Sequence, residues 1–220
     1  MIVLMTELTK YPRTVHLPNS GGKTDDDLTI RDSSYLHLSK MKDFVVTEKM
    51  DGGNLTMTRN HFFARSLDSG THLWDTYARG MWASLRWNIP EGWRVSGESL
   101  YARRSVPYDN LEAYYLVYGI WDAEDNLIDW DTTVLAAEAW GFKMVPLLYR
   151  GPSFIDAMEA WETVCDPETS EGFVIRNAKM IRAGTLAMYS ERAKWVRPNH
   201  VQTRDDWRHR TDFEVNGLKK

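Results

Sequence analysis

The chain has 220 residues, of which 43% are hydrophobic and 26% charged. That is the make-up of an ordinary globular protein with one sizeable core or at most two small ones, and it excludes disorder throughout. No run of eighteen apolar residues spans a membrane, and the apolar opening Met1–Met5 lacks the basic flank and small-residue cleavage site of a secretory signal. The single cysteine, Cys165, forms no internal disulfide, which points to a reducing, cytoplasmic compartment. The net charge of −4 is unevenly placed: Arg176 to Lys220 carries +6 and residues 1–175 carry −10. A basic segment on an acidic body suits a polyanionic partner, although charge alone fits a solvated basic face equally well.

In chain order, Pro18 to Asp27 is polar and turn-rich and predicts a long surface loop. Asp43 to Glu48 predicts a strand running into the Gly52-Gly53 turn. Leu55–Thr58 and Phe62–Arg65, around Arg59-Asn60, predict a hairpin. Trp74, Tyr77, Ala78, Met81, Trp82 and Leu85 share one helical face, with Pro90 just beyond. Trp93–Ser99 and Ala113–Trp121 predict strands. A second helix covers Thr132–Trp140 and ends at Gly141. A third begins at Ser153, with Asp156 completing a capping pattern. Gly172–Asn177 and Leu186–Arg197 predict the last strands. Hairpin-length links between most strands indicate an α+β domain with mostly antiparallel sheets flanked by helices.

The most informative stretch is Glu48-Lys49-Met50-Asp51-Gly52-Gly53-Asn54. A lysine held at a strand end beside a double glycine, where backbone can approach a ligand closely, can act as a nucleophile once neutral. Taken alone the string is weak, since a solvent-facing lysine beside a turn looks the same. Other short motifs follow it in order. They are Phe63-Ala64-Arg65-Ser66, Ser96-Gly97-Glu98-Ser99, Leu116 to Asp122 around Tyr118, Glu171-Gly172-Phe173-Val174-Ile175-Arg176, and Arg192-Ala193-Lys194-Trp195-Val196-Arg197. Gly21-Gly22-Lys23-Thr24 is not a phosphate-binding P-loop, because Leu17 stands where its first glycine belongs. The six histidines and lone cysteine show no zinc spacing.

The ordered set from Lys49 to Arg197 resembles the motifs of covalent nucleotidyltransferases, and within them the ATP-dependent RNA ligases of the nick-sealing and phage type. The segment Lys10–Pro18 resembles the leader of small ligase-like proteins. The resemblance implies an ATP-grasp-like nucleotidyltransferase domain that takes AMP from ATP onto Lys49, passes it to a 5′-phosphate end and seals that end to a 3′-hydroxyl. It implies Lys49 as nucleophile and Lys194 on the α-phosphate. Glu48 and Asn54 shape the nucleotide pocket, Arg65 meets the ribose or a substrate phosphate, Glu98 holds the ribose, and Tyr118 stacks on adenine. Arg192 or Arg197 assists Lys194, and Glu171 serves Mg²⁺ or Mn²⁺. Nearby cations, Lys194 and the metal, are expected to depress the Lys49 pKa.

Only 23 residues follow Arg197. The expectation is therefore one domain, residues 1–220, without a separate C-terminal or OB-fold domain. The expected partner is RNA bearing 5′-phosphate and 3′-hydroxyl ends, with DNA as the alternative strand, no membrane, and a monomeric protein in the cytoplasm (the host cytoplasm for a viral chain). Competing readings are a minimal DNA ligase, an RNA guanylyltransferase, or a non-catalytic nucleic-acid-binding relative. The segment Arg204–Arg210, with Trp207 among arginines, is a candidate grip on nucleic acid.

Overall fold

The computed structural model describes residues 8–67, 72–198, 200 and 213–220; the segments Met1–Met5 and Arg204–Arg210 lie outside them. Two five-stranded sheets form the body. The first contains β1 (Val15–His16), β2 (Phe44–Glu48), β8 (Leu147–Gly151), β9 (Gly172–Asn177) and β10 (Arg192–Val196), in the order β1-β10-β9-β2-β8. The second contains β3 (Gly53–Thr58), β4 (Phe62–Ala64), β5 (Arg94–Ser99), β6 (Tyr115–Trp121) and β7 (Lys143–Met144), in the order β4-β3-β5-β6-β7. Among the described residues six of the eight strand pairs are antiparallel, and β1–β10 and β6–β7 are parallel.

Alternation along the strands decides what each face does. In β2, β9 and β10 the residues Phe44, Val46, Phe173, Ile175 and Ala193 face outward. They pack under Leu38 of α1 (Asp32–Ser39) and under Ala157 and Trp161 of α4 (Phe154–Val164). In the second sheet Leu55, Met57, Val95, Tyr115 and Val117 face outward, against Ala78 of α2 (Thr76–Leu85) and Ala137 of α3 (Trp130–Trp140). Val45, Met50, Leu116, Trp130, Val145 and Ala178 join the inner sides of the two sheets. The other inner positions are mostly polar, with the apolar Val174 among them.

Local chemistry sets the helix ends. Asp129 accepts a hydrogen bond of 2.9 Å from Thr132 N, and Ser153 Oγ accepts one of 3.2 Å from Asp156 N. Gly141 closes α3 at φ +89°. One predicted strand is corrected. Within Leu186–Arg197 the chain first makes a helical turn, α5 (Ala187–Ser190), and β10 begins at Arg192. That turn buries Met188 against Trp121, Leu127 and Ile181, a contact that local alternation does not record.

Gly172 sits at φ +151°, and a Cβ there would stand 2.1 Å from Trp195 O, whereas a Cβ on Gly80 in α2 meets nothing within 4 Å. Gly172→Ala is therefore expected to cost on the order of 3 kcal/mol, and Gly80→Ala to add up to about 1 kcal/mol through helix propensity. Urea midpoints of the two variants, moving in opposite directions, check this.

Candidate active site

A cavity of about 300 Å³ opens between the inner faces of the two sheets. Register explains which side chains reach it. On the first sheet Val45, Arg176 and Arg192 stand side by side, and Thr47, Val174 and Lys194 form the next row. Lys49 follows one step beyond, its backbone N–H donating 2.9 Å to Gly172 O.

The turn after Lys49 is held from several directions. Asp51 Oδ2 accepts 2.9 Å from Val106 N, and Asp51 N donates 2.8 Å to Tyr108 Oη. A Cβ at Gly52 would lie 2.4 Å from Ser99 O, so glycine lets the turn lie against β5. The Lys49 ammonium then donates 2.6 Å to Glu171 Oε2. Burial pulls the lysine pKa down, but Glu171, Glu98 and Asp51 outweigh it and hold the group above the ordinary lysine value. Among the protein's own groups, carboxylates rather than cations dominate around this amine.

On the second sheet Asn54 and Glu98 are cross-strand partners. Burial pushes the Glu98 carboxyl up to about 7, against the pull of Lys49 and Arg104. A bulge between Ser96 and Gly97 leaves Tyr118 as the extra residue on β6, and the Asn54 amide donates to the Tyr118 hydroxyl. Asn54 Oδ1 is buried without a hydrogen-bond partner. The Tyr118 ring meets Tyr11 edge-on at 5.2 Å, so the leader segment forms part of the wall beside the aromatic platform.

The leader also reaches Lys194. β1 pairs with β10, setting His16 opposite Lys194. Asp27 Oδ1 lies 3.4 Å from both Lys194 Nζ and His16 Nε2, and His16 Nδ1 shares a 2.7 Å hydrogen bond with Ser20 Oγ. Burial and the nearby Lys49 push the Lys194 ammonium down, only partly offset by Asp27. Arg192 is almost fully buried; its Nη1 donates 2.8 Å to Tyr11 Oη and its guanidinium lies 5.0 Å from the Tyr11 ring. Arg176 beside it donates 2.9 Å to Ile128 O and keeps Nη1 buried without a partner.

Of the residues that sequence singled out, Glu48, Lys49, Asn54, Arg65, Glu98, Tyr118, Arg192 and Lys194 line the cavity. Glu171 reaches it through Lys49. Arg197 follows the end of β10 and is not among the lining residues. Glu48 lines the wall, but its carboxyl group bonds to Ser170, and burial raises its pKa. Sequence reasoning passed over Tyr11, Asp27, Arg176 and His200 as site residues. Alternation within β9 reaches Arg176 from Val174. The other three arrive from distant segments that no local spacing signals.

The two-sheet body with a lysine at the cavity is the architecture of nucleotidyltransferase-type ligases. A chain from Aquifex aeolicus assigned as an ATP-dependent DNA ligase is similar over 86% of this chain and 50% of its own, with TM-score 0.56 and 14% identity. An archaeal ATP-dependent RNA ligase is similar over 86% and 48%, with TM-score 0.53 and 13% identity. An RNA ligase variant from Naegleria gruberi, solved with ATP and Mn, is similar over 88% and 57%, with TM-score 0.55 and 14% identity. The chain thus spans about half the length of these structures. The sequence matches none of the curated proteins compared with it. The RNA ligase family profile matches residues 42–196, and the chain belongs to that family.

Burial and Lys194 push the His16 imidazole down from 6.5 to about 4, against Asp27. The unfolded chain therefore binds this proton first, and the imidazole's own contribution to stability rises with pH between those two values. Glu98, pushed up to about 7, acts in the opposite sense over much of the same range, so the check is a difference: the unfolding free energy of the parent chain relative to His16→Asn, from urea titrations, is expected to grow by up to about 3 kcal/mol as pH rises from 4 to 6.5.

Proposed function

We propose that the chain is the nucleotidyltransferase core of an ATP-dependent polynucleotide ligase, acting as one domain over residues 1–220, that joins 5′-phosphate to 3′-hydroxyl RNA ends. The carrying observation is the Lys49–Glu171 pair at 2.6 Å on the wall of a cavity that also receives Lys194, Arg192 and Arg65. Lys49 releases its proton to Glu171 and attacks the α-phosphorus of ATP. A nitrogen–phosphorus bond forms as the bond to the β-phosphate oxygen breaks, and pyrophosphate leaves. A 5′-phosphate oxygen then takes the AMP, regenerating the amine. In the last step a 3′-hydroxyl oxygen attacks the 5′-phosphorus, and AMP departs. Such transfers depend on positioning and on charge placed against the phosphates. Lys194, Arg192 and Arg65 supply that charge. Tyr118 and the apolar side chains of Val174, Leu127 and Trp130 suit the purine.

The buried Glu171 fits a divalent cation, Mg²⁺ or Mn²⁺. One of its oxygens serves Lys49, and the other lies 3.6 Å from His200 Nε2, beyond hydrogen-bond distance. When bound, such an ion offsets phosphate charge.

Intact mass after incubation with ATP and Mg²⁺ tests the reading. The expected gain is one AMP, absent in Lys49→Ala and formed about a hundredfold more slowly in Glu171→Ala. A gain of GMP from GTP points instead to guanylyl transfer, and an adduct that survives Lys49→Ala removes the assigned nucleophile. Nicked RNA, nicked DNA and single-stranded RNA then separate the strand classes.

The raised Lys49 pKa sets the pH dependence. The rate of adduct formation is expected to keep rising into the alkaline range, as the ammonium held by Glu171, Glu98 and Asp51 loses its proton. Removing one of those charges in Glu171→Gln shifts the rise to lower pH even as the maximum falls. A profile unmoved by that substitution shows that Glu171 does not set the lysine's protonation.

A further inference from the structure

Asp51, Glu171 and His200 come from three separate segments, yet one ligating atom of each lies within 4.8 Å of the others. All three side chains are withdrawn from water, with 12%, 5% and 2% of their surface exposed. His200 Nε2 stands 3.6 Å from Glu171 Oε1 and 4.0 Å from Asp51 Oδ2, and His200 Nδ1 is buried without a hydrogen-bond partner. The imidazole is thus aimed at two carboxylates but is too far from either for a hydrogen bond. Two donors bound about 2.1 Å from one ion stand about 3.0 Å apart when adjacent and about 4.2 Å apart when opposite. The two separations from His200, 3.6 and 4.0 Å, fall between these limits.

We infer that Asp51, Glu171 and His200 bind a divalent transition-metal ion, taking Mn²⁺ in preference to Mg²⁺. The inference rests on the reading of Glu171 as a metal carboxylate and adds two ligands and an ion preference. Each carboxylate has the capacity. Glu171 gives Oε2 to Lys49 and keeps Oε1 for the ion. Asp51 Oδ2 accepts the Val106 N–H and retains a lone pair. The preference follows from the nitrogen donor. Mg²⁺ favours an all-oxygen octahedron and keeps its waters, whereas imidazole beside carboxylates suits borderline transition ions. The zinc-type histidine and cysteine spacing is absent from the sequence because the donors are gathered by the fold.

The test uses the full chain without nucleotide and Mn²⁺ alone. Electron paramagnetic resonance of free Mn²⁺ gives the affinity, and electron-spin-echo modulation reports a nitrogen bonded directly to the ion. The expected result is one bound Mn²⁺ with nitrogen modulation, retained in an equal concentration of Mg²⁺. In His200→Ala the modulation disappears and affinity falls about tenfold or more, while circular dichroism shows the fold retained. Bound Mn²⁺ without nitrogen modulation in the parent chain overturns the inference whatever the variant does, as does displacement by equal Mg²⁺. The outcomes separate from those of the ligase reading. An AMP adduct in a chain lacking nitrogen-ligated Mn²⁺ defeats this site alone. A nitrogen-ligated ion in a chain that never forms the adduct defeats the ligase reading and leaves the site standing.

Discussion

An ammonium and a carboxylate, Lys49 and Glu171, meet 2.6 Å apart where neighbouring strands of one sheet end. Neither could be buried alone, since a lone ion away from water costs several kcal/mol and its removal from a pair strands the partner. Backbone bonds fix the meeting point: Lys49 N to Gly172 O at 2.9 Å, and Arg197 N to Glu171 O at 3.0 Å. Both charges are therefore carried by the frame of the sheet rather than by mobile loops. Glu98 and Lys194 are placed relative to this pair, and their protonation depends on it.

The cavity is consequently a mixed electrostatic field. A carboxyl titrating at about 7 faces a lysine held above its usual value, and a second lysine is pushed below it. Cations of the first sheet line one wall, with Glu98 and Asn54 on the other. Any charge brought into the cavity acts on all of these groups at once.

Much of this was legible in the sequence. β5 and β10 come near to alternating apolar and polar residues, so there the motif marks both the element and the face it presents, whereas β2, β6 and β9 are apolar runs that mark a buried strand without marking its inward face. The helix over Thr76–Leu85 and the caps at Asp129 and Ser153 follow from spacing and side-chain chemistry. What escaped depends on distant contacts. α1 buries one side chain, Leu38, and β8 is partly exposed, so neither has a clear period. Asp27 sits in a stretch that reads as surface loop, yet it reaches Lys194 because β1 joins β10 in parallel. His200 has no motif and acquires its surroundings only through the fold.

The bulge between Ser96 and Gly97 has a consequence for how this chain can vary. On one side of it β6 pairs as Val117 with Gly97, and on the other as Gly119 with Ser96, with Tyr118 spare between them. β6 therefore behaves as two strands in separate reading frames. A residue gained or lost within Tyr115–Val117 would exchange inward for outward side chains on that half alone, withdrawing Leu116 from the inter-sheet core and exposing Tyr115 to the cavity side. The turns at either end can absorb a change of length that the strand itself cannot, and the strand's residue count is as constrained as any of its side chains.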